Sequence, residues 1–173
     1  MAKSFKVITG KVRFSYVNVF SPIAQEDGKP AKYSIALIIP KTDRETIDAI
    51  NLAVYDCKRE NMAVWGGSIP DGLKGGLRDG DLEKNDVAYD DSYFINCTST
   101  AKPGVCDKDC VDIIRPSQFY SGCYGRASIT FYAYNNSPDM QGIGCTINNV
   151  QKLADGEKLG AFCSPAEDFS KTD

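Results

Sequence analysis

Residues Ser121–Asn135 read SGCYGRASITFYAYN, and their alternation decides how the rest of the chain is understood. Cys123, Ala127, Ile129, Phe131 and Ala133 share one parity, and Tyr124, Arg126, Ser128, Thr130, Tyr132 and Tyr134 share the other. Alternation over this length predicts a half-buried β-strand with the first set in the core and the second facing outward. Alternate side chains on a strand lie about 6.6 Å apart, so the outer set presents rings and a cation along one line. Unstacked nucleobases can lie on such rings, and a guanidinium can stack on a base or meet a phosphate. Tyrosine and threonine also favour strands for steric reasons, and cross-strand aromatic pairs stabilise solvent-facing sheets, so the row alone fits an ordinary exposed face as well.

Working outward, NNSPDMQG supplies a turn and IGCTINNVQKL a hairpin partner for this strand. Upstream, GKVRFSYVNVF sets Val12, Phe14 and Tyr16 against Lys11, Arg13 and Ser15, and the apolar parity then switches to Val17 and Val19. A bulge or bend is expected after Tyr16. SPIAQEDGKPA is a Pro/Gly turn, and KYSIALIIP, nearly all apolar in its second half, reads as a central strand. KTDRETIDAINLAVYDCKREN predicts a helix over about Asp43–Asn61, with Thr42 and Glu45 as a capping box and Ile47, Ile50, Val54 and Cys57 on one face. Met62–Asp91 is irregular and rich in Gly and Asp, YFINCTS is a short strand, and AKPGVCDKDCVDIIRPSQFYSG reads as loop. About five strands and one helix describe an all-β barrel with a helical insertion and long loops.

The 173 residues suit one domain, and 42% hydrophobic with 25% charged residues is an ordinary globular composition. Net charge is −3, yet Met1–Lys41 carries seven Lys/Arg against two acids, while Asp79–Asp112 carries nine acids against three Lys. Such segregation can make one basic face on an acidic protein. No stretch resembles a signal peptide or a membrane span, so a cytosolic protein is expected. The seven cysteines are an odd count, several within strand-like runs, and are expected to be reduced thiols. Cys106 and Cys110 form the one close pair, but the chain has no His and no second such pair, so no metal and no cofactor is expected. The absence of His also argues against a hydrolase. Asp79 and Asp81 in LRDGD could hold Mg²⁺ in a nuclease, but Asp-Gly is also a common turn. From Ala154 to Asp173 there are five acids and two lysines around Phe162 and Phe169, an acidic tail that could compete for a basic groove or dock on partners.

The blocks VRFSYVNVFSP, KYSIALIIPKTD, LRDGD, YFINCTSTAKPGVCD, SGCYGRASITFYAYN and GIGCTINNVQKLADGEKLG, taken in order, resemble a phage-encoded family of single-stranded DNA-binding proteins, from about Val12 to Gly160. The resemblance implies an oligonucleotide/oligosaccharide-binding (OB) barrel over 1–153 with an acidic tail over 154–173. It implies a homodimer in the cytoplasm of an infected bacterial host, without catalysis and without a membrane, coating single-stranded DNA in replication, recombination or repair. Replication proteins would meet it through the tail. The expected DNA contacts are Lys11, Arg13, Lys32, Arg78 and Arg126 for phosphates and Tyr16, Tyr120, Tyr124, Tyr132 and Tyr134 for bases, with the loops Trp65–Arg78 and Arg115–Tyr120 closing over the strand. The alternative is a structural or protein-interaction barrel, such as a virion accessory protein, whose tyrosines form a protein interface.

Overall fold

In a computed structural model that describes residues 5–26 and 28–159, the alternating stretches become β-strands of one sheet. The strands are β1 (Lys6–Ile8), β2 (Val12–Ile23), β3 (Lys32–Pro40), β4 (Arg78–Asp79), β5 (Ser92–Ser99), β6 (Gly104–Cys106), β7 (Tyr124–Ser137) and β8 (Met140–Ala154). The helices are α1 (Arg44–Glu60) and the single turn α2 (Gly80–Glu83). The five long strands close on themselves. β7 pairs antiparallel with β2, β2 with β3 and β3 with β5; β5 then runs parallel to β8, and β8 returns to β7 as an antiparallel hairpin. This five-stranded ring with one parallel seam is the OB type of barrel. The three short strands fill in around it: β1 on the outer edge of β7, β4 on β5, and β6 parallel to β8.

The barrel interior is filled by the parity read from the sequence. Val12 and Phe14 of β2, Ile35, Leu37 and Ile39 of β3, Ala127, Ile129 and Phe131 of β7, and Ile143, Cys145 and Ile147 of β8 are all buried. Tyr16 has a positive φ of 47°, and the β2–β3 register shifts between Ser15 and Asn18. The parity switch therefore marks a true bend, and it turns Tyr16 out to 62% exposure instead of leaving it beside Phe14. β3 is apolar on both faces because the segment 78–91 folds over its outer side, where Ile38, Tyr89 and Phe94 make a second small core.

α1 packs against β1, β7 and β8 through Ile47, Ile50, Val54 and Cys57, as the helical spacing predicts. Burying each of the three aliphatic side chains contributes about 1.5–3 kcal/mol. Its cap is Asp43, not Thr42: the Asp43 carboxylate accepts from Thr46 N at 3.2 Å, while the Thr46 hydroxyl accepts from Gly10 N at 2.8 Å. Lys58 and Arg59 in the last turn complement the helix dipole. The stretch read as one loop before β7 also contains β6, and Phe119 within it is fully buried against Phe14, ring centroids 4.9 Å apart. Among the described residues no helix is long and apolar enough to cross a membrane. β8 ends at Ala154 and residues 155–159 pack back on the barrel; the rest of the expected acidic tail, 160–173, lies outside the described residues.

Candidate nucleic-acid interface

The outward row on β7 divides into two ends with different fates. At the far end, Tyr132 and Tyr134 sit opposite Gly144 and Gly142 of β8. A Cβ at Gly144 would overlap the Tyr132 ring, and one at Gly142 would lie 2.8 Å from the Tyr134 hydroxyl. The two rings therefore lie down across the β8 backbone, centroids 6.2 Å apart and tilted by 50°, with Tyr132 still 42% exposed. Burial, then the neighbouring Tyr134, pushes the Tyr132 phenol above its ordinary value, so the ring is neutral at pH 7 and does not repel a phosphate. Trp65, in the loop expected to close over DNA, is buried and donates its indole N–H to the Tyr134 carbonyl at 3.0 Å, bracing this end of β7.

At the near end, Tyr124 lies beside Arg13 on the neighbouring strand. The Lys11 ammonium and the Arg13 guanidinium stand 5.5 and 5.2 Å from the Tyr124 ring centroid. The structure thus brings together three of the expected DNA contacts, but they are engaged by the chain itself. Arg13 donates from Nε to the Gly122 carbonyl (3.0 Å) and from Nη2 to the Glu157 carbonyl (2.7 Å). The Tyr120 hydroxyl donates to Asp155 (2.9 Å) and accepts from Gly156 N (3.2 Å), and Gly156 packs against the Tyr124 ring. Leu159 N donates to the Ser121 carbonyl at 3.0 Å, and its side chain packs on the Ile38–Tyr89–Phe94 cluster. Arg13, Tyr120 and Tyr124 hold residues 155–159 in place.

The other expected contacts are scattered. Arg126 is exposed and donates from Nε to the Thr9 carbonyl at 3.0 Å. Lys32 begins β3 opposite Ile23, toward the end of β2 away from Arg13. Tyr16 carries the Lys84 ammonium 5.4 Å from its ring centroid. Arg78 pairs with Glu83 at 2.6 Å and lies 5.0 Å from the Phe94 ring centroid, and it holds the Glu83 carboxyl below its usual range. Asp79 and Asp81 are both taken by Lys41, at 2.9 and 2.7 Å. The Lys41 contact and then the Asp91 amide hold Asp81 below the usual carboxylate range, while Asp81 and then Asp79 raise the Lys41 ammonium well above its own. LRDGD is thus the junction of β4 and α2, not a free turn, and its acids neutralise a lysine of the basic N-terminal segment. The six described cysteines are free thiols; Cys97 of β5 and Cys145 of the neighbouring β8 touch at 3.3 Å between sulfurs, next to the Thr98–Thr146 bridge.

OB barrels bind oligonucleotides on the outer face of their second and third strands, between the loop joining strands one and two and the loop joining strands four and five. Here these are β3 and β5, the 24–31 turn and the β7–β8 turn. Half of that face, around Ile38 and Phe94, is covered by residues 78–91 and Leu159. The other half continues as a polar row, Asn18–Ser34–Thr98–Thr146–Thr130, in register across five strand positions. Lys32 lies at its β3 end, two residues from Ser34, and Tyr132 and Tyr134 lie beyond Thr130 on β7. Sequence reasoning missed Lys74 and Lys84, which stand in irregular segments, and Asn96, which stands on the exposed side of β5. It also passed over Gly142 and Gly144, although their spacing of two, in hairpin register with two tyrosines at the same spacing, was readable.

The family described as Enterobacter phage Enc34, ssDNA-binding protein, matches residues 5–173, and the chain belongs to it. Protein p50 of Acyrthosiphon pisum secondary endosymbiont phage 1 is 26% identical over 176 residues, covering 95% of this chain and 92% of that one. Among solved structures, the single-stranded DNA-binding protein from bacteriophage Enc34 in complex with ssDNA is similar with a TM-score of 0.76 and 22% identity, over 90% of this chain and 89% of that chain. The single-stranded DNA-binding protein gp2.5 encoded by bacteriophage T7 is similar with a TM-score of 0.65 and 11% identity, over 99% and 96%. At these identities the two structural likenesses are likenesses of fold.

Proposed function

We propose that this chain, as a member of that phage family, binds single-stranded DNA without catalysing a reaction on it, and coats the strand during DNA replication, recombination or repair. The observation that carries the reading is the Tyr132–Tyr134 platform, two rings laid on a glycine floor with Tyr132 exposed and Tyr134 half-buried beside it. Bases stack on these rings, and the strand crosses the hydroxyl row of β7, β8, β5 and β3 toward Lys32. Stacking of this kind tolerates any base, so binding is largely independent of sequence. Lys32, Lys74 and Arg126 meet phosphates along the way, and affinity falls with salt because each contact releases counterions. On this reading the protein works in the cytoplasm of the infected bacterial host as a homodimer, and the acidic tail from 160 onward is its contact with replication proteins.

The test is a titration of labelled oligo-dT and of duplex of equal length against the full chain at two salt concentrations. Preference for the single strand, weakened by salt, is expected. If neither DNA binds at low salt, the reading is wrong and the tyrosines become a protein interface.

A further inference from the structure

The parallel seam of the barrel is nearly open. β5 and β8 pair only at Thr98 and Thr146 and part toward Asn96 and Gly144. The loop 73–78 crosses the gap, bridging β8 at Gly142 through Lys74 and joining β5 at Phe94 through Arg78. What is left between the strands is a cleft of about 610 Å³ whose lining includes Lys74, Arg78, Ile95, Asn96, Gly144 and Cys145. Among the described residues, Ile95 and Asn96 of β5 and Gly144 and Cys145 of β8 pair with one neighbouring strand each, and no strand pairs with their other edges. The walls therefore offer backbone donors and acceptors to whatever enters. The Asn96 amide is exposed and bonds to no described residue, and the Lys74 ammonium has no carboxylate partner among them. Gly144 is shared: it lines the cleft and is the floor under Tyr132, so the mouth of the cleft opens beside that ring.

We infer that this cleft receives a single nucleobase, turned out of the stack from a strand whose neighbouring base lies on Tyr132. The inference rests on the single-stranded DNA reading above and adds to it a second kind of base site. Nucleobase edges carry both donors and acceptors, and the Asn96 amide with the two strand edges supplies the complement of both. Lys74 stands where a phosphate flanking an inserted base would pass, while Arg78 on the same lining is held by Glu83, which also lines the cleft. A cleft of this size suits a nucleotide-sized ligand. A paired base cannot enter without first leaving its duplex, which costs a few kcal/mol. The cleft is therefore a device for rejecting duplex as well as for holding the strand.

The experiment is photocrosslinking of the full chain to oligo-dT containing 4-thiothymine, with the adducts mapped by mass spectrometry. Adducts within 74–78, at Ile95 or Asn96, or at Gly144 or Cys145 are expected in addition to those on Tyr132 and Tyr134. Asn96→Trp, which fills the cleft, abolishes the cleft adducts, keeps those on the tyrosines, and lowers affinity about 5-fold or more, the scale of one base contact. Lys74→Ala truncates an exposed side chain and leaves the backbone bridge to Gly142 in place, so it tests the same site with the barrel intact; it reduces the salt slope by about one contact. If the oligonucleotide binds and crosslinks to the tyrosines but never to the cleft, the inference is overturned while the single-strand reading stands. If no oligonucleotide binds, both fall.

Discussion

The two ends of β7 carry the same kinds of residue and use them in opposite ways. At the near end Tyr124, with Lys11 and Arg13 beside it, faces the backbone of residues 155–159, and Arg13 has spent two donors on carbonyls of its own chain. At the far end Tyr132 and Tyr134 rest on Gly144 and Gly142, Tyr132 exposed and Tyr134 half-buried. An outward parity shows only that a side chain leaves the core. Whether it meets solvent depends on what the rest of the chain lays over it.

The largest effect that separates the ends is on DNA affinity. Tyr132→Ala and Tyr134→Ala should each cost about 1–3 kcal/mol, or about 5- to 150-fold, in an oligo-dT titration. The double variant should fall short of the sum because the rings touch. Tyr124→Ala should leave affinity nearly unchanged and lower the melting temperature, since its ring supports Gly156, Lys11 and Arg13. Equal losses of affinity at Tyr124 and Tyr132 would erase the contrast and make the whole row one binding surface.

A smaller effect sharpens the near end. Arg13→Ala removes a 2.7 Å bond to the Glu157 carbonyl, a 3.0 Å bond to the Gly122 carbonyl and the stacking on Tyr124. About 1–3 kcal/mol of stability should be lost in denaturant unfolding. Tyr120→Phe keeps the ring and deletes only the hydroxyl bonded to Asp155 and Gly156, at a cost of about 0.5–1.5 kcal/mol. Neither variant should weaken DNA binding if residues 155–159 stay in place. An Arg13→Ala protein with wild-type stability and lost affinity would return Arg13 to the phosphate role expected from sequence.

The barrel was legible where the chain repeats a period for long enough. The alternation of β7, the parity switch at Tyr16 and the apolar face of α1 each span several turns or pleats, and each reappears in the structure. β1, β4 and β6 have two or three residues apiece and carry no period to read. Of the candidate site, the outward parity of the β7 tyrosines was legible, but not what the rest of the chain lays over them. Nothing local to Tyr120 or Arg13 reveals that Asp155–Leu159 returns to cover them, because that docking is set by tertiary contacts across more than thirty residues of sequence. The seam cleft is hidden for the same reason, since it exists only once β5 and β8 are brought side by side.

The smallest effect tests the glycine floor itself. Gly144 has no positive φ, so alanine fits its backbone, and replacing a strand glycine by alanine should add about 0.5–1 kcal/mol of stability through the unfolded chain. The added methyl overlaps the far end of the Tyr132 side chain, which can swing aside at a cost of about 0.5–1.5 kcal/mol for leaving its rotamer. The two terms nearly cancel, so Gly144→Ala should melt close to wild type. The ring it displaces, however, no longer lies flat beside Tyr134, and affinity for oligo-dT should fall by less than the full stacking contribution, below about 1 kcal/mol. A variant that melts normally and binds normally would mean that the orientation of Tyr132 is irrelevant to the strand. Loss of binding without loss of stability would show that Gly144 is there to aim the Tyr132 ring.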